Sequence, residues 1–258
     1  MLGTDKYAYS SKIKNVNPVD KLLVSLAVLL LCIFLDHWVV SLATLVGMAI
    51  INIAFGKNSL SEIGKMLRIP MGFILLGTFT VVLGRYAKRE ALLFGIGLGG
   101  YYYGASKESL MQGFEIIIKS LGIMSAVYFF VMNTTISDLS VAMEKLRVPR
   151  LFTELMELIY RFIFVLLECA EKIKIAQNSR LGYKDLKTSY YSTGALAARV
   201  FVDAMRRSDK IYNALDSRGY QGQILTLDIA YEKNFRMIAA AIVMIIIQIG
   251  IFVVLRLL

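Results

Sequence analysis

The chain has 258 residues, of which 57% are hydrophobic, and its formal net charge is +10 at pH 7. Soluble globular domains are about 45–50% apolar, so this composition excludes an ordinary soluble protein. In a chain this hydrophobic, an excess of lysine and arginine is typical of cytoplasmic loops that their charge keeps inside the cell. The sequence therefore favours a lipid bilayer as a partner and predicts no nucleic-acid partner.

Long apolar runs predict helices that cross a membrane, because about 20 mostly apolar residues span its hydrocarbon layer of roughly 30 Å. The runs that are nearly free of charge are Leu22–Leu35, Val39–Ala54, Ile116–Met132 and Met237–Leu255. Asn17 and Pro18 precede the first run and are typical of a helix start. The short connection at Asp36 and His37 makes the first two runs an antiparallel helical hairpin.

The region 56–104 leaves several membrane arrangements open. Gly56–Arg68 is polar and predicts a cytoplasmic turn, and Ile69–Leu83 is apolar but short and contains Pro70. Ala91–Gly104 is rich in glycine and tyrosine, and irregular backbone at membrane depth is tolerated only where protein shields it. Residues 69–104 are therefore expected to hold one span, two spans or a re-entrant turn.

Residues 133–236 differ in kind from the apolar runs. A short amphipathic helix is predicted to close before Pro149, because proline disfavours helix at the residue before it. Leu151–Ile175 resembles a further span, but charged residues line one side of it at helical spacing: Glu154, Glu157, Arg161, Glu168, Glu171 and Lys172. Each ionised group would cost about 2.5–3.5 kcal/mol at the bilayer centre. The stretch is therefore predicted to be an amphipathic helix outside the membrane.

The predicted fold is an all-α integral membrane protein with about five transmembrane helices and long amphipathic helices outside the bilayer. Residues 1–132 form an N-terminal membrane domain with about four spans, 133–236 a cytoplasmic helical domain, and 237–258 a C-terminal transmembrane helix. The basic residues between 172 and 218 then stay in the cytoplasm together with the N-terminus, in agreement with the positive-inside rule. The protein is expected in the cell (plasma) membrane.

A short motif occurs twice in the segment 133–236. It reads Ala-x-x-Ser-Arg followed by Gly-Tyr, from Ala176 to Tyr183 and from Ala214 to Tyr220, with one extra leucine in the first copy. The second copy ends a helix that is expected to begin near Thr193. Glycine after a helical run is the usual left-handed stop, and arginine in the last turn complements the helix dipole. Each copy is either a simple C-cap or a charged helix end that enters an acidic groove on a partner.

The sequence resembles the transmembrane coupling (T) component of energy-coupling factor transporters, in particular its cobalt/nickel-type, CbiQ-like member. Essentially the whole chain carries the resemblance, from the residues around Asp5 and Asn17 through Pro149 to the paired arginine motifs. It implies docking to two ATP-binding cassette ATPase subunits by eight residues: Ala176, Ser179, Arg180, Gly182, Ala214, Ser217, Arg218 and Gly219. It also implies a separate substrate-binding membrane subunit (S component) and uptake of cobalt, nickel or a vitamin.

Signatures of catalysis are missing from the sequence. The fragment Gly56-Lys57-Asn58 lacks the spacing of a phosphate-binding loop, so ATP hydrolysis is expected on partner chains. His37 is the only histidine and is interpreted as a helix-end residue, while Cys32 and Cys169 are interpreted as packing residues. We therefore predict a non-catalytic subunit with no cofactor and no metal site. The alternatives are a self-contained permease, which needs ionisable residues facing the bundle interior, and an intramembrane enzyme.

Overall fold

The computed structural model describes residues 5–86, 94–98, 101–220 and 231–257. Its elements follow in the order α1 Asp5–Ser10, α2 Pro18–Phe34, α3 Trp38–Gly56, α4 Leu60–Val82, β1 Gly84–Tyr86, β2 Phe94–Leu98, β3 Tyr101–Ala105, α5 Lys107–Asn133, α6 Ile136–Lys145, α7 Arg150–Ser179, α8 Leu186–Asp216 and α9 Phe235–Leu257. The prediction of an all-α membrane protein is confirmed, with one small sheet added to it.

Four helices of the described chain are long and apolar enough to cross a membrane: Trp38–Gly56, Leu60–Val82, Lys107–Asn133 and Phe235–Arg256. The first predicted span, α2, has 17 residues, and spanning helices range from about 17 to 25 residues. The apolar side chains of α4 are mostly exposed, with Ile69 and Phe73 each 84% exposed. Such an outward apolar surface is what a lipid-facing helix presents.

Side-chain caps set where the membrane helices begin. The amide of Val19 donates to Asn17 Oδ1 over 3.2 Å at the start of α2. The amide of Val39 donates to His37 Nδ1 over 3.2 Å at the start of α3. Each cap satisfies an amide that has no partner within its own helix. His37 is therefore a helix-end residue, as predicted.

The prediction of a turn over Gly56–Arg68 is wrong beyond Ser59. Ser59 and Glu62 form a reciprocal capping box that begins α4 at Leu60, and the amide of Ser59 donates to Glu62 Oε2 over 2.8 Å. This box starts the helix at Leu60, 69 − 60 = 9 residues ahead of the apolar run. The helix continues through Pro70.

The glycine- and tyrosine-rich region forms a sheet after a single helix. Strands β1, β3 and β2 lie side by side in that order, and both pairings are antiparallel. Gly104 pairs with Gly84 on one side and with Gly95 on the other. Of the arrangements left open for 69–104, the structure shows one helix followed by this sheet; residues 87–93 and 99–100 lie outside the described residues.

The chain divides into two compact units, Leu2–Ala142 with Ala230–Leu258, and Met143–Ile229. In the first unit, α5 packs against α2, α3 and α4, and α9 packs against α2 and α3. Its core includes Val28, Met48, Ala126, Phe129 and Met237. In the second unit, α7 packs against α8.

Gly122 on α5 lies close to the backbone of α3. A Cβ at this position would lie 2.6 Å from the backbone oxygen of Ser41 on α3. Small residues at such crossings let membrane helices pack closely. We expect Gly122→Ala to lower the free energy of unfolding by about 1–3 kcal/mol, because backbone must shift to admit the methyl group.

Thermal unfolding in detergent measures this effect, and Gly72→Ala is the matched control. A Cβ at Gly72, also inside a span, would meet nothing within 4 Å. The control is expected to keep the wild-type midpoint or to raise it slightly. Equal midpoints for Gly122→Ala and Gly72→Ala would show that the α3–α5 crossing adapts without cost.

Candidate docking site

Helix α7 ends at Ser179, and the chain leaves it through a left-handed turn. Arg180 is the C-cap residue, and Leu181 has a φ of 59°. The amide of Gly182 donates to the carbonyl of Gln177 over 2.8 Å. A bond that reaches back five residues across a left-handed residue is the mark of the Schellman helix end.

Helix α8 ends at Asp216 with the same bonds. Gly219 has a φ of 74°, and the amide of Tyr220 donates to the carbonyl of Leu215 over 3.0 Å. The serines also match, because Ser217 Oγ donates to Asn213 O over 2.7 Å and Ser179 Oγ donates to Ile175 O over 3.1 Å. The two helix ends are therefore built alike.

The matching bonds correct the predicted role of Gly182. Arg180 corresponds to Arg218, and each arginine directly precedes the left-handed residue of its turn. That residue is Leu181 in the first copy and Gly219 in the second. Leu181 is therefore not an insertion between arginine and glycine. It occupies the position that Gly219 has in the second copy.

Gly182 is required for a different reason. A Cβ added to it would lie 2.8 Å from Gln177 O and 2.8 Å from Ser192 Oγ. Its carbonyl accepts a hydrogen bond from Ser192 Oγ over 2.8 Å, and Ser192 is buried on α8. Gly182 is small because α7 and α8 meet at this point.

Further hydrogen bonds fix the first helix end to the start of α8. Gln177 Nε2 donates to Ser192 O over 3.0 Å, and Tyr183 Oη donates to Gln177 Oε1 over 2.8 Å. Asp185 caps α8, and hydrogen bonds from the side chain and then the backbone of Thr188 lower the pKa of its carboxyl. Helix α8 consequently begins at Leu186, seven residues before the predicted Thr193.

The arginines of both helix ends are available to a partner. Both are exposed, and in the described part of the chain neither guanidinium has a hydrogen-bond or ion-pair partner. The other predicted docking residues are exposed as well, namely Ala176, Ser179, Ala214, Ser217 and Gly219, except the half-buried Gly182. Each helix end thus presents a free fork of donors, which matches a carboxylate.

The left-handed leucine gives a testable difference between the two ends. We expect Leu181→Gly to stabilise the first end by about 1 kcal/mol, because a Cβ in this conformation costs about 1–2 kcal/mol. Gly219→Ala should destabilise the second end by a similar amount. Hydrogen exchange of the amides at Gly182 and Tyr220 measures each effect locally.

Each substitution is the control for the other. Leu181→Gly removes a Cβ at the left-handed residue of the first turn, and Gly219→Ala adds one at the equivalent residue of the second. Slower exchange at Gly182 and faster exchange at Tyr220 are expected. Exchange that shifts in one direction at both ends would contradict the equivalence of Leu181 and Gly219.

A cluster of buried polar residues in the first unit was not predicted from the sequence. Asn133, at the end of α5, donates through Nδ2 to Asn52 Oδ1 over 2.9 Å. Ser11 Oγ donates to Asn133 Oδ1 over 2.6 Å, and Asn58 Nδ2 donates to Asn52 Oδ1 over 2.8 Å. These bonds join the C-terminal ends of α3 and α5 to the segment before α2.

Lys21 completes this cluster. Its side chain is fully buried, and Nζ donates to the carbonyls of Asn133, Ile13 and Lys14 over 2.8, 3.1 and 3.3 Å. A cation at the C-terminal carbonyls of a helix is stabilised by the helix dipole. Of the cluster residues only Asn52 lies inside an apolar run, and this lone polar residue was the available signal, because polar groups in membrane segments pair with one another or with backbone carbonyls.

The described residues contain no group of three or more His, Cys, Asp and Glu that could hold a metal ion. Cys32 is buried, and its Sγ lies 3.6 Å from Ser41 Oγ. Cys169 Sγ lies 3.5 Å from Asp203 Oδ2. Each thiol therefore contacts a side chain of a neighbouring helix, Cys32 of α2 on α3 and Cys169 of α7 on α8.

A family model described as a cobalt transport protein, CbiQ, matches residues 10–227. The chain belongs to the CbiQ family. It is 32% identical to the cobalt transport protein CbiQ of Salmonella typhimurium, over 86% of this chain and 98% of that protein. It is 31% identical to an uncharacterized protein of Methanocaldococcus jannaschii, over 91% of this chain and 86% of that protein.

A more distant relative carries a different name. The chain is 28% identical to the energy-coupling factor transporter transmembrane protein EcfT of Lactococcus lactis, over 82% of this chain and 81% of that protein. CbiQ membership and the apolar helices make the chain a multi-pass plasma-membrane component of a transporter. The resemblance to this family is confirmed, and both helix ends fall inside the matched residues.

Proposed function

We propose that the chain is the transmembrane coupling subunit of an energy-coupling factor importer. In this role it carries no catalytic site and passes the movement of two ATP-binding cassette ATPase subunits to a separate substrate-binding membrane subunit. The substrate is a metal ion, cobalt or nickel, or a vitamin. The N-terminus and residues 133–236 lie in the cytoplasm, where ATP is available.

One observation carries the proposal, namely the hydrogen-bond pattern that two exposed helix ends share. Arg180 and Arg218 each precede a left-handed residue, and each follows a serine bonded to the carbonyl four residues earlier. A C-cap alone requires neither the serine nor the arginine. Two equal ends suit a partner that presents the same acidic groove twice, as a pair of identical or homologous ATPase subunits does.

The mechanism follows from how each end is attached. The first end is bonded through Gln177 and Gly182 to Ser192 on α8. The second end is the C-terminus of α8 itself. Movement of either ATPase subunit is therefore transmitted to α8, and α7 moves with it through the same bonds. The substrate-binding subunit receives this movement, so that import depends on ATP hydrolysis by the partner chains.

The experiment is a pull-down of the tagged chain from native membranes in mild detergent, with mass spectrometry of the retained proteins. Recovery of an ATPase with a phosphate-binding loop and of a small membrane protein is the expected result. The small protein would identify the substrate. Recovery of neither from a well-folded sample would contradict the coupling function.

A transport assay separates the proposal from a self-contained permease. The purified chain, reconstituted alone in vesicles, is expected to move neither cobalt nor nickel. Uptake should appear only when the ATPase subunits, the substrate-binding subunit and ATP are added. Transport by the chain alone would instead establish a permease that forms its own substrate path.

A further inference from the structure

A wide groove opens at one end of the first unit, beside the start of α9. Three stretches of chain line it: residues 12–16, the end of α3 at Ala54 and Phe55, and residues 232–236. Its volume is about 620 Å³. It lies apart from both arginine-tipped helix ends in the sequence and shares no residue with them.

The walls of the groove are fixed by backbone hydrogen bonds. Val16 and Glu232 form a parallel bridge, in which the amide of Asn17 donates to Glu232 O over 3.0 Å and the amide of Glu232 donates to Asn15 O over 3.0 Å. The amide of Lys12 donates to Gly56 O over 3.4 Å at the end of α3. The groove is therefore formed before any ligand arrives.

The charge of the groove favours an anion. Lys12, Lys233 and Arg236 line it, and Glu232 is the one carboxylate among the lining residues, which gives a net charge of 3 − 1 = +2. All three cations are exposed, and among the described residues none of them has an ion-pair partner. Unpaired cations around one concave surface attract phosphate, which arginine binds with two parallel hydrogen bonds.

The position of the groove places it at the membrane surface. Phe235 is the first residue of α9, and its side chain is 74% exposed. The helix from Phe235 to Arg256 is long and apolar enough to cross the bilayer. Exposed aromatic and basic residues at the end of a span lie at headgroup depth. Ala54 and Phe55 add apolar wall beside the cations, which suits the glycerol part of a lipid.

We propose that this groove binds the phosphate group of an anionic phospholipid, with Lys12, Lys233 and Arg236 as its ligands. The lipid holds the start of α9 against the segment before α2. A soluble phosphate would satisfy the same cations but would gain nothing from the apolar wall or from the exposed Phe235.

The test uses the delipidated full-length chain in neutral detergent. Native mass spectrometry compares binding of dioleoyl phosphatidylglycerol with binding of the zwitterionic dioleoyl phosphatidylcholine. The groove variant is Lys12→Gln, Lys233→Gln and Arg236→Gln together. The matched control is Lys57→Gln, Lys65→Gln and Arg68→Gln, which removes three cations near the α3–α4 connection. Circular dichroism and the unfolding midpoint establish that both variants are folded.

The wild-type chain is expected to prefer phosphatidylglycerol, and the groove variant should bind it about a hundredfold more weakly, since all three cations that attract the phosphate are removed. The control should stay within about threefold of wild type. An equal loss in both variants would mean diffuse surface attraction and would overturn the proposal, as would the lack of a lipid preference.

Inorganic phosphate in excess distinguishes the source of the anion. Phosphatidylglycerol binding that survives this competitor supports a lipid site. Its complete displacement would show a site for soluble anions and would overturn the lipid assignment. If the triple variant fails to fold, Arg236→Gln alone replaces it, with Arg68→Gln as its control.

Discussion

The double variant Arg180→Ala, Arg218→Ala is expected to lose its ATPase subunits during purification while it still inserts into the membrane. Hydrogen bonds to charged groups contribute about 1.5–3 kcal/mol each, so the loss of both arginines should weaken binding by at least two orders of magnitude. Each single variant should retain part of the binding. Co-purification of the ATPase subunits and ATP-dependent uptake are the two measurements.

The control for this prediction removes two exposed cations from the same unit, with Arg206→Ala and Lys210→Ala on α8. It should keep most of its ATPase binding, because these residues lie away from both helix ends. Equal losses in the two double variants would indicate unspecific charge attraction. Wild-type uptake by the arginine variant would refute the docking role outright.

Arg180→Lys and Arg218→Lys refine the same test. Lysine keeps the positive charge but lacks the planar fork of donors. If the partner offers a carboxylate to both guanidinium donors, the lysine variants should bind clearly more weakly than wild type. Full binding by lysine would show that charge alone is recognised.

Lys21→Met is expected to lower the stability of the first unit strongly. The three carbonyls that accept from Lys21 Nζ would lose this donor in a place from which water is excluded. Each buried carbonyl left without a donor costs about 1–3 kcal/mol, so the total loss should be at least about 3 kcal/mol. The unfolding midpoint in detergent and the monodisperse fraction in size-exclusion chromatography measure the effect.

Lys65→Met is the matched control, because Lys65 is an exposed lysine of α4. It should leave the midpoint within the range of a surface substitution, about ±0.5 kcal/mol. If the two methionine variants unfold at the same temperature, the buried lysine contributes no net stability. Its bonds to Asn133, Ile13 and Lys14 would then be replaceable by side-chain rearrangement.

Local signals in the sequence predicted much of the helical architecture. Asn17 and Pro18 set the start of α2 through their own backbone chemistry, and α6 ends before Pro149, as predicted. The amphipathic character of α7 was also predicted, since several ionised groups at helical spacing make it costly to place this helix at the bilayer centre. Lys172 pairs with Glu168 one turn earlier, at 2.6 Å, and this pairing lowers the pKa of the Glu168 carboxyl.

Features that depend on distant residues were not predicted. Gly84 and Gly104 pair between β1 and β3 although they are 104 − 84 = 20 positions apart, and such pairing leaves no local period in a glycine-rich stretch. The start of α4 was missed because Lys65 and Arg68 are polar residues on an exposed helical surface and were interpreted as a turn. The buried cluster around Asn133 joins residues from four parts of the chain, so no single segment indicates it.

For the two Ala-x-x-Ser-Arg motifs, the sequence indicated which residues form the helix ends but not which residue takes the left-handed conformation in the first copy. Glycine was expected to take the left-handed position in both copies, and in the first copy Leu181 takes it. The reason is the contact with α8: Gly182 is needed where Ser192 approaches. A local propensity was overridden by packing between two helices that only the fold brings together.

The length of α8 sets the distance between the two docking ends. The first end is bonded to Ser192, and the second follows Asp216 on the same helix. At 1.5 Å per residue, these two positions are separated by about 36 Å along the helix axis. A partner that held both ends in a single domain would need two acidic grooves this far apart, roughly the diameter of a small domain. Two neighbouring subunits need only one groove each, and the length of α8 then fixes the distance between the two grooves.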